Sequence, residues 1–285
     1  MEGPPCRGAY RELAADLAAY TSAIMSGASA EPRASFGDVT VGEPAPGVAE
    51  IEWHRPPANF FDVELLRRIL EGLSFAERRG CRAAVLASEG KHFCAGSDFS
   101  GSGTPPGETL AALYRHAYEL VAGPLPLVAA VQGSAVGGGL GLALACDLRV
   151  ASPATRFSAN FARLGLHHGF GLSLTLPEVV GPQRALDLLL TGRRIDGAEA
   201  EAIDLCDRLD DDPRAGARRL ASELAEVAPL AARAIRATQR ARIVDGFRSA
   251  VDRERGEQLR LMKTDDFDEG VAATAERRAP RFSGR

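Results

Sequence analysis

The chain has 285 residues, 45% of them hydrophobic and 25% charged, which excludes a fibrous or disordered protein and fits one large globular domain with at most a small appendage. A formal net charge of -4 excludes a general nucleic-acid surface, so an anionic ligand must be held by local groups. The five cysteines, Cys6, Cys81, Cys94, Cys146 and Cys206, are odd in number and lack metal-ligand spacing, so a reduced, cytoplasmic protein with no metal site is expected.

Residues 10–25 read as a short Ala-rich helix and residues 26–35 as a linker, so residues 1–34 are taken as an N-terminal extension. Glu12 and Asp16 interrupt its apolar run, which argues against a signal peptide. No stretch approaches the roughly 20 apolar residues that a membrane-spanning helix needs. Strands follow at residues 39–41 and 48–53, the second alternating Val48, Glu50 and Glu52 against Ala49, Ile51 and Trp53. Leu65, Leu66, Ile69, Leu70 and Leu73 recur at helical spacing over residues 63–79, and residues 83–87 form a short apolar strand. The alternation continues with a helix at 108–121, a strand at 127–131, a helix opening after the glycines at 137–139, and a strand at 148–151. Such an order predicts an α/β fold whose parallel strands are joined by helical crossovers.

Beyond about residue 181 the pattern is almost continuously helical, with helices expected at 183–190, 198–203, 213–227, 229–244, 247–262 and 266–277. The division expected is an extension over 1–34, an α/β core over 35–200 and a helical C-terminal region over 201–285.

Two glycine-rich turns follow apolar strands, one over residues 91–99 and one over residues 131–141. The second runs directly into a buried helix, whose first N–H groups lack internal partners and whose dipole is positive there. An anion or a polarised carbonyl is stabilised at such a point. The competing reading is that these glycines serve close helix–sheet packing. A dinucleotide fingerprint fails because Leu142 stands where a third glycine is required, and neither a phosphate loop nor a G-x-S-x-G elbow is present.

At these residues the chain resembles the crotonase, or enoyl-CoA hydratase/isomerase, superfamily, over about residues 39–282. Residues 54–59 (HRPPAN) resemble its R-P-x-x-N segment, 93–99 its F-x-A-G-x-D turn, and 132–139 its G-x-A-x-G-G-G turn. Cys146 and Asp147 match a following C-D pair, residues 165–171 a G-L-x-x-G-x-G segment, and residues 277–282 a basic C-terminal end. The resemblance implies a crotonase-like ββα spiral core with a helical C-terminal trimerisation region, assembled as a homotrimer or a dimer of trimers. It implies an acyl-CoA thioester substrate, with coenzyme A part of the substrate and no separate cofactor, nucleic acid or membrane partner. By the same resemblance, the backbone N–H groups of Ser97 and Gly138 form an oxyanion hole, and Ala95, Asp98, Phe99 and Gly137 lie along the coenzyme A path. Arg55, with Lys91, Arg277 and Arg278, is a candidate phosphate contact, although a basic surface side chain is more often simply solvated.

Hydratases of this family carry two glutamates that position and activate water, and the matching positions here are Gly141 and Phe161. General acid/base groups are each worth roughly a hundred- to ten-thousandfold, so ordinary hydration is disfavoured. His168 is the first candidate replacement, since imidazole exchanges protons near neutral pH, while His167 reads as a cap. Tyr114 and His116 stand two apart on the helix at 108–121, so only one of them can face inward, and Glu108 and Glu119 read as solvent-facing. A catalytically silent acyl-CoA binding protein is the alternative.

Overall fold

The apolar runs at 83–88 and 127–131 are buried at every position, so the centre of the sheet is covered on both faces. The computed structural model describes residues 34–97 and 106–285. The expected helix at 10–25, Asp98 and Phe99 lie outside them.

Strands β1 (Ala34–Phe36), β2 (Val39–Ala45) and β3 (Val48–Trp53) form an antiparallel meander. From β3 onward the sheet is parallel. Helix α1 (Val63–Arg78) leads to β4 (Ala83–Ser88), and α2 (Pro106–Ala122) leads to β5 (Leu127–Val131). Next come β6 (Ser134–Val136), helix α3 (Gly138–Ala145), β7 (Leu148–Ala151) and β8 (Arg156–Ser158). Helices α4 (Leu172–Val180) and α5 (Pro182–Thr191), strand β9 (Arg194–Asp196), helix α6 (Gly197–Ala202) and strand β10 (Arg208–Leu209) complete the middle of the chain. The last three helices are α7 (Pro213–Glu226), α8 (Pro229–Leu261) and α9 (Asp265–Ala275). The main sheet runs β1-β2-β3-β4-β5-β7-β10, and β6-β8-β9 form a second, smaller sheet.

The alternation on β3 divides as its sequence implies: Ala49, Ile51 and Trp53 enter the larger apolar core, whereas Val48 packs with Ala83, Val85, Val128 and Val150 under α7. Glu50, on the same side as Val48, is buried and held by Arg214 and Arg218 of α7. A buried carboxylate needs such partners.

Two features depart from expectation. The short strands β6, β8, β9 and β10, of two or three residues each, carry too few positions for alternation to register. Helices expected at 229–244 and 247–262 are one helix, α8, of 33 residues. Gly246 does not break it, because that glycine lets Leu174 of α4 approach: a Cβ there would lie 3.3 Å from the leucine Cδ2. Asp147 anchors this helix. Its carboxylate accepts from the Leu127 amide and the Arg236 Nε, each at 2.7 Å, and lies 3.1 Å from Arg240 Nη1. Arg240 in turn donates to the carbonyls of Ala145 and Cys146, which lack internal partners at the end of α3. No helix among the described residues is long and apolar enough to cross a membrane.

Candidate active site

The R-P-P-A-N segment is a clasp. Asn59, buried at φ 52°, donates from Nδ2 to the carbonyls of Glu89 and His92 at 2.8 and 2.6 Å, and its Oδ1 accepts from the Arg55 amide. This draws the segment alongside the first glycine-rich turn, where Ala95 N donates to Ala58 O and Phe61 N to Gly96 O, both at 3.0 Å. The resulting bridge between Phe61 and Ser97 is parallel, a geometry that leaves the Ser97 amide outside the pairing. On its other side the turn pairs with β6: Cys94 N donates to Ser134 O at 3.1 Å and Val136 N to Cys94 O at 3.0 Å. The two glycine-rich turns are thereby stitched together.

Each glycine of the second turn has a distinct reason. Gly137 takes φ 56°, and its amide donates to Ser158 O. A Cβ on Gly138 would lie 2.5 Å from Phe61 Cζ, and one on Gly139 would lie 2.2 Å from Cys94 O. Gly138 is the first residue of α3, so its N–H has no partner within the helix. Neither the Ser97 nor the Gly138 amide donates to a carbonyl among the described residues. Both residues line one cavity of about 190 Å³, together with Ala95 and Gly137.

The remaining walls are largely apolar, with Phe61, Leu110, Leu113, Phe161 and Phe170 contributing. Phe161 is buried, and Gly141 is closed by a ring: a Cβ there would lie 2.6 Å from Phe170 Cβ. Larger cavities on the surface lie away from both turns.

Helix α2 turns Tyr114 into the cavity and His116 elsewhere, where it meets Glu119 at 3.1 Å. The Tyr114 hydroxyl donates to Gln258 Oε1 at 2.5 Å, and burial raises its pKa, so it stays protonated. His168 is not among the residues lining this cavity. Its ring stacks on His167 at 4.0 Å, its Nε2 is buried without a partner among the described residues, and burial with the neighbouring imidazole pushes its pKa down to about 4. An imidazole so placed is neutral and a weak base.

Arg55 is not free for phosphate. Its guanidinium lies between Asp38 and Asp62, with Nη1 2.7 Å from Asp62 Oδ1, so its charge is already matched. Arg278 is likewise held by Glu269 and Glu276. Lys91 and Arg277 are exposed.

Two residues that the sequence reading passed over stand on α8. Gln258 lines the cavity, and Glu254 sits fully buried one turn before it. The Glu254 carboxylate accepts from Gly171 N and Ser173 N at 2.8 Å and from Ser173 Oγ at 2.6 Å, capping α4; burial pushes its pKa up to about 7. A signal was present. Arg236, Arg240, Ile243, Phe247, Val251, Glu254 and Gln258 recur every three or four residues, which marks one buried helix face despite its charged members.

Comparison with known proteins agrees with this architecture. Residues 43–285 match the enoyl-CoA hydratase/isomerase family. Bos taurus mitochondrial enoyl-CoA hydratase domain-containing protein 2 is 35% identical over 274 residues, covering 90% of this chain and 93% of that one. An enoyl-CoA hydratase/isomerase structure from Pseudoalteromonas atlantica T6c superposes with a TM-score of 0.76 at 30% identity, over 87% of this chain and 100% of the other. An enoyl-CoA hydratase structure from Mycobacterium avium subsp. paratuberculosis K-10 gives 0.77 at 27% identity, again over 87% and 100%.

Proposed function

The chain belongs to the enoyl-CoA hydratase/isomerase family, and from that premise we propose that it processes acyl-CoA thioesters, receiving the thioester carbonyl between the amides of Ser97 and Gly138. One observation carries the reading: Ser97 and Gly138, whose N–H groups have no carbonyl partner among the described residues, line a single, mostly apolar cavity. Charge that moves onto the thioester oxygen as an enolate forms is stabilised by both donors, and in comparable sites one donor is worth roughly a hundred- to thousandfold in rate. Coenzyme A enters as part of the substrate.

Ordinary hydration is outside this reading. Gly141 and Phe161 supply no carboxylate to hold water, and the Phe170 side chain fills the space beside Gly141. The reaction proposed therefore passes through a thioester enolate without a two-glutamate water site. Assembly as a trimer or dimer of trimers belongs to the same reading, and the exposed Leu190, Leu230 and Ile235 are apolar surface that a neighbour would cover.

The test is deuterium exchange at the α-carbon across a panel of acyl-CoA thioesters, followed by mass spectrometry. Wild-type exchange well above that of Gly138→Val is expected. Tight binding with no exchange in any thioester would leave a silent acyl-CoA binding protein instead. Hydration of 2-enoyl thioesters on the order of 10 per second would overturn the exclusion of hydratase chemistry.

A further inference from the structure

The acyl end of the cavity holds a polar pair that the oxyanion hole does not explain. Tyr114 of α2 and Gln258 of α8 both line it, and both are buried, with 5% and 2% of their surface exposed. The bonds of this pair leave one donor over. The Tyr114 hydroxyl gives its proton to Gln258 Oε1, and Gln258 Nε2 gives one hydrogen to His167 O at 3.1 Å. The second Nε2 hydrogen has no partner among the described residues. A buried amide hydrogen left unpaired is unfavourable, and an oxygen brought in by a ligand relieves it.

Access to the pair is built into the backbone. A Cβ on Gly169 would lie 2.2 Å from the Tyr114 hydroxyl and 2.6 Å from Gln258 Nε2, so glycine there leaves room for both polar atoms where they stand. Glu254 fixes the approach of α8 by capping α4, and it shares a helix face with Gln258 four residues later. The wall also orders the two ends. Phe61 stands against Gly138, Phe170 meets Phe61 edge-on at 5.3 Å, and Gly169, next to Phe170, adjoins the Tyr114 hydroxyl. Phe61 and Phe170 thus line the wall between the hole and the polar pair, which sets the pair back along the acyl chain.

Building on the thioester reading above, we propose that Tyr114 and Gln258 form a specificity seat for an oxygen carried by the acyl chain beyond its β-carbon, a hydroxyl or a carbonyl. Oxygenated acyl-CoA thioesters, not plain hydrocarbon ones, are then the preferred ligands. The seat positions and selects; it performs no bond-making step.

The experiment is calorimetric titration of the full chain with hexanoyl-CoA and with its analogues hydroxylated at C3, C4, C5 or C6. At least one of the C4 to C6 analogues is expected to bind about tenfold tighter than hexanoyl-CoA, the C3 analogue less so, as one net hydrogen bond in a desolvated site permits. That preference falls to about one in both Gln258→Met and Tyr114→Phe, two variants that alter the seat from different helices, each checked for a cooperative unfolding transition. Equal binding of all five thioesters, or a preference that survives in both variants, overturns the seat alone. If none of the five binds, the thioester reading fails and the seat fails with it.

Discussion

The proposed oxyanion hole and the proposed acyl end of one cavity are made by opposite means. At Ser97 and Gly138 the working groups are backbone amides, positioned by turns that pair with each other and with the 55–61 segment. At Tyr114, Phe170 and Gln258 they are side chains from three separate elements, brought together by the packing of α2 and α8 and the cap on α4. A site of the first kind is indifferent to most side-chain changes yet fails when a Cβ intrudes. The second kind can be retuned one side chain at a time, and its chemistry can drift while the hole stays fixed.

The largest effect that would break this contrast is sought at Gly141, which packs against Phe170. Gly141→Glu should not restore hydration, because the new side chain runs into Phe170 and buries an unpaired carboxylate; a loss of about 5 kcal/mol in stability is expected by urea denaturation. A folded, hydrating variant would show the acyl end to be far more plastic than described. Gly138→Val comes next, with α-carbon exchange reduced roughly a hundredfold or more, since the added carbons meet the Phe61 ring and displace the carbonyl from the hole.

A titration sharpens the far end. Glu254 has a folded pKa of about 7 against an ordinary value of 4.5, so the folded state holds the extra proton. Its contribution to stability is fully present below pH 4.5 and is lost as pH rises through 7. Relative to Glu254→Gln, the wild type should therefore lose on the order of 3 kcal/mol between pH 4.5 and 8, read from urea midpoints at each pH. His168 has the opposite sign: its pKa of about 4 lies below 6.5, so its contribution is present above pH 6.5 and lost as pH falls through 4. The two slopes oppose each other between pH 4.5 and 6.5, which is why the variant comparison, not the wild-type curve, carries the test. The smallest effect is at Ser97→Ala. If only the amide matters, exchange should change by less than about threefold, and a loss near that of Gly138→Val would make the hydroxyl part of the site.

Legibility in the sequence follows the same division. The glycine turns, the Asn59 clasp and the Cys146-Asp147 pair are contiguous, so local spacing exposed them, and the βαβ alternation gave the parallel sheet. The acyl end was not legible, because Tyr114 and Gln258 are 144 residues apart and only tertiary packing joins them. His168 drew attention by its chemistry, but the left-handed backbone at Gly165, Phe170 and Gly171 turns the chain, and Gly169 and Phe170, not the imidazole, line the cavity. Arg55 was read as a free cation because the partner Asp38 lies 17 residues earlier on the first hairpin.

One consequence of the unbroken helix Pro229–Leu261 concerns how firmly Gln258 is held. Arg236 grips the Asp147 carboxylate, and Gln258 reaches the acyl cavity 22 residues later, about 33 Å along the axis at 1.5 Å per residue. A stiff rod held at both ends, by Arg236 on Asp147 and by Glu254 on the amides of Gly171 and Ser173, cannot swing, so Gln258 is presented to the cavity at a fixed reach.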